Sequence, residues 1–231
     1  MIAFRSFASA AVITGALLLT GCAAPRTADA DVGIHKVVIV TAMSEAGLVN
    51  KIGLTIFAND ATTIPQDGAL SKIAVDTMTR RLNSARPNWE IVPAGVDLVA
   101  LGAKSKDGIA PSELGEILQR SGADAAFVVS DIYQDTAARG SGVGAALRKL
   151  PGIDPHVIVR AHVYVEMRDK SGERISGAPG GETPLIKASD FGVTDDIASV
   201  NAPEARARLS QAMRNELARD LDAALQQMGY Q

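Results

Sequence analysis

HVIVRAHVYVEM, from His156 to Met167, alternates without a fault. Val157, Val159, Ala161, Val163, Val165 and Met167 point one way, and His156, Ile158, Arg160, His162, Tyr164 and Glu166 point the other. Successive side chains of a strand project to opposite faces. The stretch therefore reads as a strand with one buried face and one mostly polar, solvated face, which is the pattern of an antiparallel sheet. Its polar row makes Arg160, His162, Tyr164 and Glu166 the candidate partner-contact surface of the chain.

Downstream, Asp169-Lys170-Ser171-Gly172 supplies a turn, and Glu173 to Gly177 returns as the hairpin partner. Residues 178–200 carry Gly and Pro early and yield no assigned element beyond a helical turn near Asp190 to Val200. Upstream, residues 134–155 hold Gly140, Gly142, Gly144, Pro151, Gly152 and Pro155 around a short apolar segment. They read as a long loop, whose glycines remove steric restraint and make it the expected first site of proteolysis.

Farther out, Lys36 to Met43 is a Val and Ile rich run suited to a strand covered on both faces. A Gly-bearing turn at Ser44 to Asn50 joins it to a second run, Ile52 to Phe57, in an expected hairpin. Leu70, Ile73, Ala74, Met78 and Leu82 form one helical stripe, with Asp67 as cap and Pro87 as stop. Trp89 to Val92 suits a short edge strand before Pro93. Pro111 opens a helix through Leu114, Ile117 and Leu118 that Gly122 closes, and Ala123 to Tyr133 begins a second buried strand. Asn201, Pro203 and Glu204 announce the longest helix, with Leu209, Met213, Leu217, Leu221, Leu225 and Met228 as its stripe. The sum is an α/β (α+β) fold: one domain with a mixed, mainly antiparallel sheet and helices packed on it.

The start of the chain is of a different kind. Arg5 precedes an apolar segment from Ala8 to Leu19, which runs into Leu19-Thr20-Gly21-Cys22. The apolar run is shorter than the roughly 20 residues that span a bilayer, and its order is that of an export signal. The four residues resemble the lipobox of bacterial lipoproteins, which implies cleavage before Cys22 and acylation of its sulfur and amino group. Cys22 is the single cysteine, so an exported chain makes no internal disulfide. Each buried methylene of an acyl chain contributes about 0.8 kcal/mol, so several chains together anchor the protein. Ala23, rather than Asp, follows the cysteine, which resembles the outer-membrane class. The organisation expected is a signal peptide over 1–21, a lipidated tether over 22–33 and a periplasmic domain over 34–231.

Composition narrows the function. The 231 residues are 47% hydrophobic and 21% charged, with a formal net charge of −3, a globular balance without the basic excess of a nucleic-acid binder. Gly140 to Ala145 formally matches the Gly-x-Gly-x-x-Ala dinucleotide fingerprint, but Pro151 leaves no room for the helix that holds a pyrophosphate. His156 and His162 share a strand face at ~20 Å, too far apart to ligate one metal. The sequence thus directs attention to binding: no catalytic residue, cofactor or metal is expected, and the partners are a membrane, through lipid, and an envelope protein.

Val37-Val38-Ile39-Val40, Leu82-Asn83 and Gly122-Ala123-Asp124-Ala125 mark a first strand, the end of a helix and the start of the next strand. In these features the run from His35 to Tyr133 resembles the small α/β domain of lipoproteins in the curli-export and penicillin-binding-protein-activator families. The resemblance implies an assembly or docking role without catalysis. The long membrane-inserting segments of the curli exporter have no counterpart here.

Overall fold

The computed structural model describes residues 33–52, 60–104, 108–132, 142–149, 152–180 and 185–231. The signal, Cys22 and most of the tether lie outside them. In chain order the elements are β1 (Lys36–Ala42), β2 (Ala46–Ile52), β3 (Asp60–Pro65), α1 (Ala69–Ala85), β4 (Glu90–Val92), α2 (Leu98–Lys104) and α3 (Pro111–Ser121). Then follow β5 (Ala125–Asp131), β6 (Gly142–Arg148), β7 (His156–Asp169), β8 (Arg174–Pro179), β9 (Ile186–Lys187) and α4 (Pro203–Gln227). The mixed sheet and packed helices expected from the periodicities are present.

The long strand β7 organises the sheet. Its first half pairs with β6 on one edge and β9 on the other, and its second half pairs with β5 and β8. The pairings of β8 and β9 continue in one register, from Tyr164 opposite Pro179 to His156 opposite Lys187. These two strands therefore share an edge, and β5 and β6 lie end to end along the other. Beyond them β1 runs parallel to β5, and β2 parallel to β6. The result is one sheet in two halves: β4-β1-β5-β7-β8 and β3-β2-β6-β7-β9. The halves meet at a seam through Met43–Glu45, Asp131, Gly142 and the His162–Val163 bond of β7.

This topology corrects two expectations. Residues 46–52 are not a turn: they form β2, in line with β1, and its antiparallel partner is β3. The second run, through Phe57, falls mostly outside the described residues. The expected long loop contains β6, whose Val143, Ala145 and Leu147 are buried in the core; residues 133–141 lie outside the description. Gly and Ala have weak strand propensity, so the strand alternation of GVGAALR is masked by its composition. The tertiary setting overrides that preference by pairing both edges of the segment.

One face of both halves is covered by α1 and α4. Leu70, Ala74, Met78 and Leu82 of α1 and Leu209, Met213, Leu217, Leu221 and Leu225 of α4 fill this core with the apolar row of β7. Asp67 does not cap α1; Gly68 stands at the N-cap, and the Glu45 carboxylate accepts hydrogen bonds from Leu70 N–H (3.1 Å) and Ser71 N–H (2.7 Å). Sequence reasoning could not find that cap, because it arrives from 25 residues upstream. Likewise Ala202, not Asn201, precedes Pro203 at the start of α4. At its far end Tyr230 is fully buried, with Phe127 and Trp89 at ring distances of 5.2 and 5.8 Å, and its hydroxyl donates to Met167 Sδ at 3.0 Å. A second apolar cluster, around Val38, Val40, Ala126, Val128, Leu114 and Ile117, packs α2 and α3 on the opposite face of the first half only.

Candidate functional site

The polar row of β7 lies on this opposite face, and the structure corrects its expected environment. Arg160 is 1% exposed, His162 7% and Glu166 9%, while His156 and Tyr164 are half-buried. The row is in register as the alternation requires, but its centre is buried and is not the solvated patch expected.

The four candidate residues divide at the seam. In the first half, Glu166 accepts from Arg168 Nε at 2.7 Å, and Tyr164 lies over Gly177 and accepts from Arg174 Nη1 at 3.3 Å. This stretch is engaged with its own neighbours. In the second half Arg160 lies across the sheet above Gly144, its register partner on β6, and Nη2 donates to Leu48 O of β2 at 3.3 Å. A Cβ at position 144 would stand 3.1 Å from that guanidinium and 2.1 Å from Leu48 O. Glycine is therefore required by close approach, and the Gly-rich composition that hid β6 is what lets Arg160 lie flat.

Two residues that sequence reasoning missed belong to the same surface. Register places Arg148 of β6 opposite His156, and His156 opposite Lys187 of β9. Lys187 is exposed, whereas Arg148 Nε is shielded from solvent and has no hydrogen-bond partner among the described residues. The signal was available in GVGAALR, where Arg148 takes the same alternating side as Gly144.

On the helix face of the seam sits Asp131. Its Oδ2 accepts from Ser44 N–H at 2.9 Å, while buried Oδ1 has no partner among the described residues. Burial pushes its carboxyl up to about 6; the Ser44 hydrogen bond opposes the shift and the Glu45 charge adds to it. Gly142, at φ 66°, closes against it, and a Cβ there would lie 2.6 Å from Asp131 Oδ1. On α4, burial and the neighbouring Asp220 push Glu216 up to about 7 against the pull of Arg219, its ion-pair partner.

Shallow cavities of about 310–390 Å³ lie where the chain enters the domain, near Ile34, Gly122 and Lys170. Their polar groups serve the fold. Lys170 pairs with Asp124 at 2.6 Å; that bond, with those from His35 and Lys36 N–H, holds the Asp124 carboxyl down at about 2. The Ser171 hydroxyl donates to Asp169 within the β7–β8 turn. Among the described residues no group of three His, Cys, Asp or Glu is placed to hold a metal, and no helix is long and apolar enough to cross a membrane. The dinucleotide reading of Gly140 to Ala145 meets strand β6 where it needs a helix.

No family model matches the chain, and no curated protein matches it. Among solved structures it is similar to the PelC dodecamer from Paraburkholderia phytofirmans, at 16% identity and TM-score 0.32, over 82% of this chain and 86% of that one. It is also similar to lipoprotein GNA1162 from Neisseria meningitidis, at 11% identity and TM-score 0.35, over 80% and 99%. A third is a neuraminyllactose-binding hemagglutinin homolog from Helicobacter pylori, at 12% identity and TM-score 0.31, over 85% and 82%. Scores at this level are loose likenesses of chain path and assign no activity to this chain.

Proposed function

We propose that the chain is a non-catalytic binding or assembly accessory of the bacterial cell envelope, held through acylated Cys22 on the periplasmic face of the outer membrane. The lipobox-like Leu19 to Cys22, the short apolar segment before it and Ala23 after it support the anchor and its location. The observation that carries the binding role is the opposite face of the second half-sheet. It contributes no residue to the second apolar cluster and collects Arg148, His156, Arg160, His162 and Lys187. Its centre is buried at Arg160 and His162, while half-buried His156 and exposed Lys187 at its end are placed for recognition of another molecule.

The test has two arms. Cys22→Ser should abolish acylation of the amino-terminal peptide, read by mass spectrometry, and move the protein out of the membrane fraction. Mild chemical cross-linking and purification of the lipidated wild-type chain should recover a defined envelope partner. Turnover of a peptidoglycan or ester substrate by the purified protein, lost on one side-chain substitution, would replace this reading with an envelope hydrolase.

A further inference from the structure

We infer that the second half-sheet docks an acidic segment of a partner protein on the face that carries Arg148, His156 and Lys187. This rests on the binding role proposed above and specifies the chemistry of the partner. The first observation is a local reversal of charge. The chain as a whole carries −3, yet the described strands of this half hold Lys51, Arg148, Arg160 and Lys187 against one acid, Asp60. Register sets Asp60 opposite Lys51, on the helix face. The opposite face therefore has cations and no carboxylate among the described residues of β2, β3, β6, β9 and the first half of β7.

The second observation is Arg148. The residue is partly exposed, and its Nε has no acceptor among the described residues. A carboxylate that reaches the exposed part of this guanidinium forms the stronger, charge-assisted kind of hydrogen bond.

The third is the apolar rim. Ile153 and Leu185 are 50% and 55% exposed, two of the three large hydrophobics left exposed among the described residues. Lys187 stands opposite His156, Ala188 N–H donates to Pro155 O, and Leu185 falls two residues back, beside Ile158. Exposed Ile153, in the bend three residues before His156, and exposed Leu185, two residues before Lys187, thus flank the basic pair in the chain. The tip adds one exposed acid, Asp154, and Lys149 there is already paired with Asp195. The complementary ligand is a segment with carboxylates between apolar side chains.

The charge pattern selects an acidic protein segment, and the corner is not at the end where the chain is attached. The tether enters at Lys36, next to Asp124 and the Asp169 end of β7, whereas the basic corner is at the His156 end. Thirteen residues of strand separate the two ends, ~43 Å. The corner thus lies at the end of β7 remote from the point where the tether joins the domain.

The test is site-specific photo-cross-linking in cells making the full chain, with p-benzoylphenylalanine at Leu185 and, separately, at Ile153. Exposed Asp76 on α1 serves as the control position. The expected product is a protein adduct from 185 or 153 and none from 76, and its cross-linked peptide contains at least two Asp or Glu flanked by apolar residues. Lys187→Glu, at an exposed position that leaves the melting temperature unchanged, should lower the yield at least fivefold. Changing the partner's acids to Lys should restore it. A lipid adduct, a peptide without acids, a yield indifferent to Lys187→Glu, or no adduct overturns the inference. If chemical cross-linking still recovers a partner in those cases, the binding role stands and only this docking face falls; if neither method recovers one, both fall.

Discussion

Replacing Asp131 by Asn should flatten the dependence of stability on pH between about 4 and 7. The carboxyl is pushed from 3.8 up to about 6, chiefly by burial at the seam. A shift of about 2 pH units corresponds to about 3 kcal/mol between protonated and ionised forms. The sign follows from which state holds the proton more tightly. With the folded value above the unfolded one, Asp131 is most favourable to folding below its unfolded pKa, and that advantage is lost as pH rises through about 6. Glu216, pushed from 4.5 up to about 7, acts in the same direction. The wild-type domain should therefore be more stable in mild acid than at pH 7.5, and Asp131→Asn should remove the Asp131 share alone. Asn still offers an oxygen to Ser44 N–H, so the seam keeps that hydrogen bond. Urea unfolding of wild type and variant at four pH values reads the effect. With a slope of ~2 kcal/mol per molar urea, the variant midpoint should gain ~1.5 M on wild type at pH 7.5, and the gap should close by pH 4. Parallel pH profiles would show that Asp131 reaches solvent, and the argument from its burial would fail.

Two further substitutions probe the face around β6 and β7. Gly144→Ala brings a methyl against Leu48 O and the Arg160 guanidinium, and overpacking of this kind costs about 1–3 kcal/mol; calorimetry should show a melting temperature lowered by about 5 °C, and an unchanged value refutes the close approach. Arg160→Glu and Glu166→Lys reverse charges that are 1% and 9% exposed, so each should destabilise by about 3–5 kcal/mol, read by thermal circular dichroism. Had these side chains been solvated as the alternation alone suggested, the fold would be untouched, and an unchanged melting curve would restore that reading.

The sequence by itself determined the faces of β7, the apolar stripes of α1, α3 and α4, the closure of α3 by Gly122 and the β7–β8 turn. Each of these is written in neighbours three, four or two residues apart, because backbone geometry alone repeats at those spacings. It also marked Arg160, His162, Tyr164 and Glu166 as one row. Only the tertiary structure decided what that row faces. Burial depends on which strands flank β7, and those pairings join residues far apart in the chain, such as Leu48, Gly144 and Arg160. The strand nature of 142–148 was hidden for the same reason. A Gly and Ala rich segment has little intrinsic preference for extended structure, and becomes a strand because two neighbours hydrogen-bond it and an arginine needs the space its missing side chain leaves. The Glu45 cap of α1 and the rise in the Asp131 carboxyl came likewise from folding, since desolvation and capping act through space.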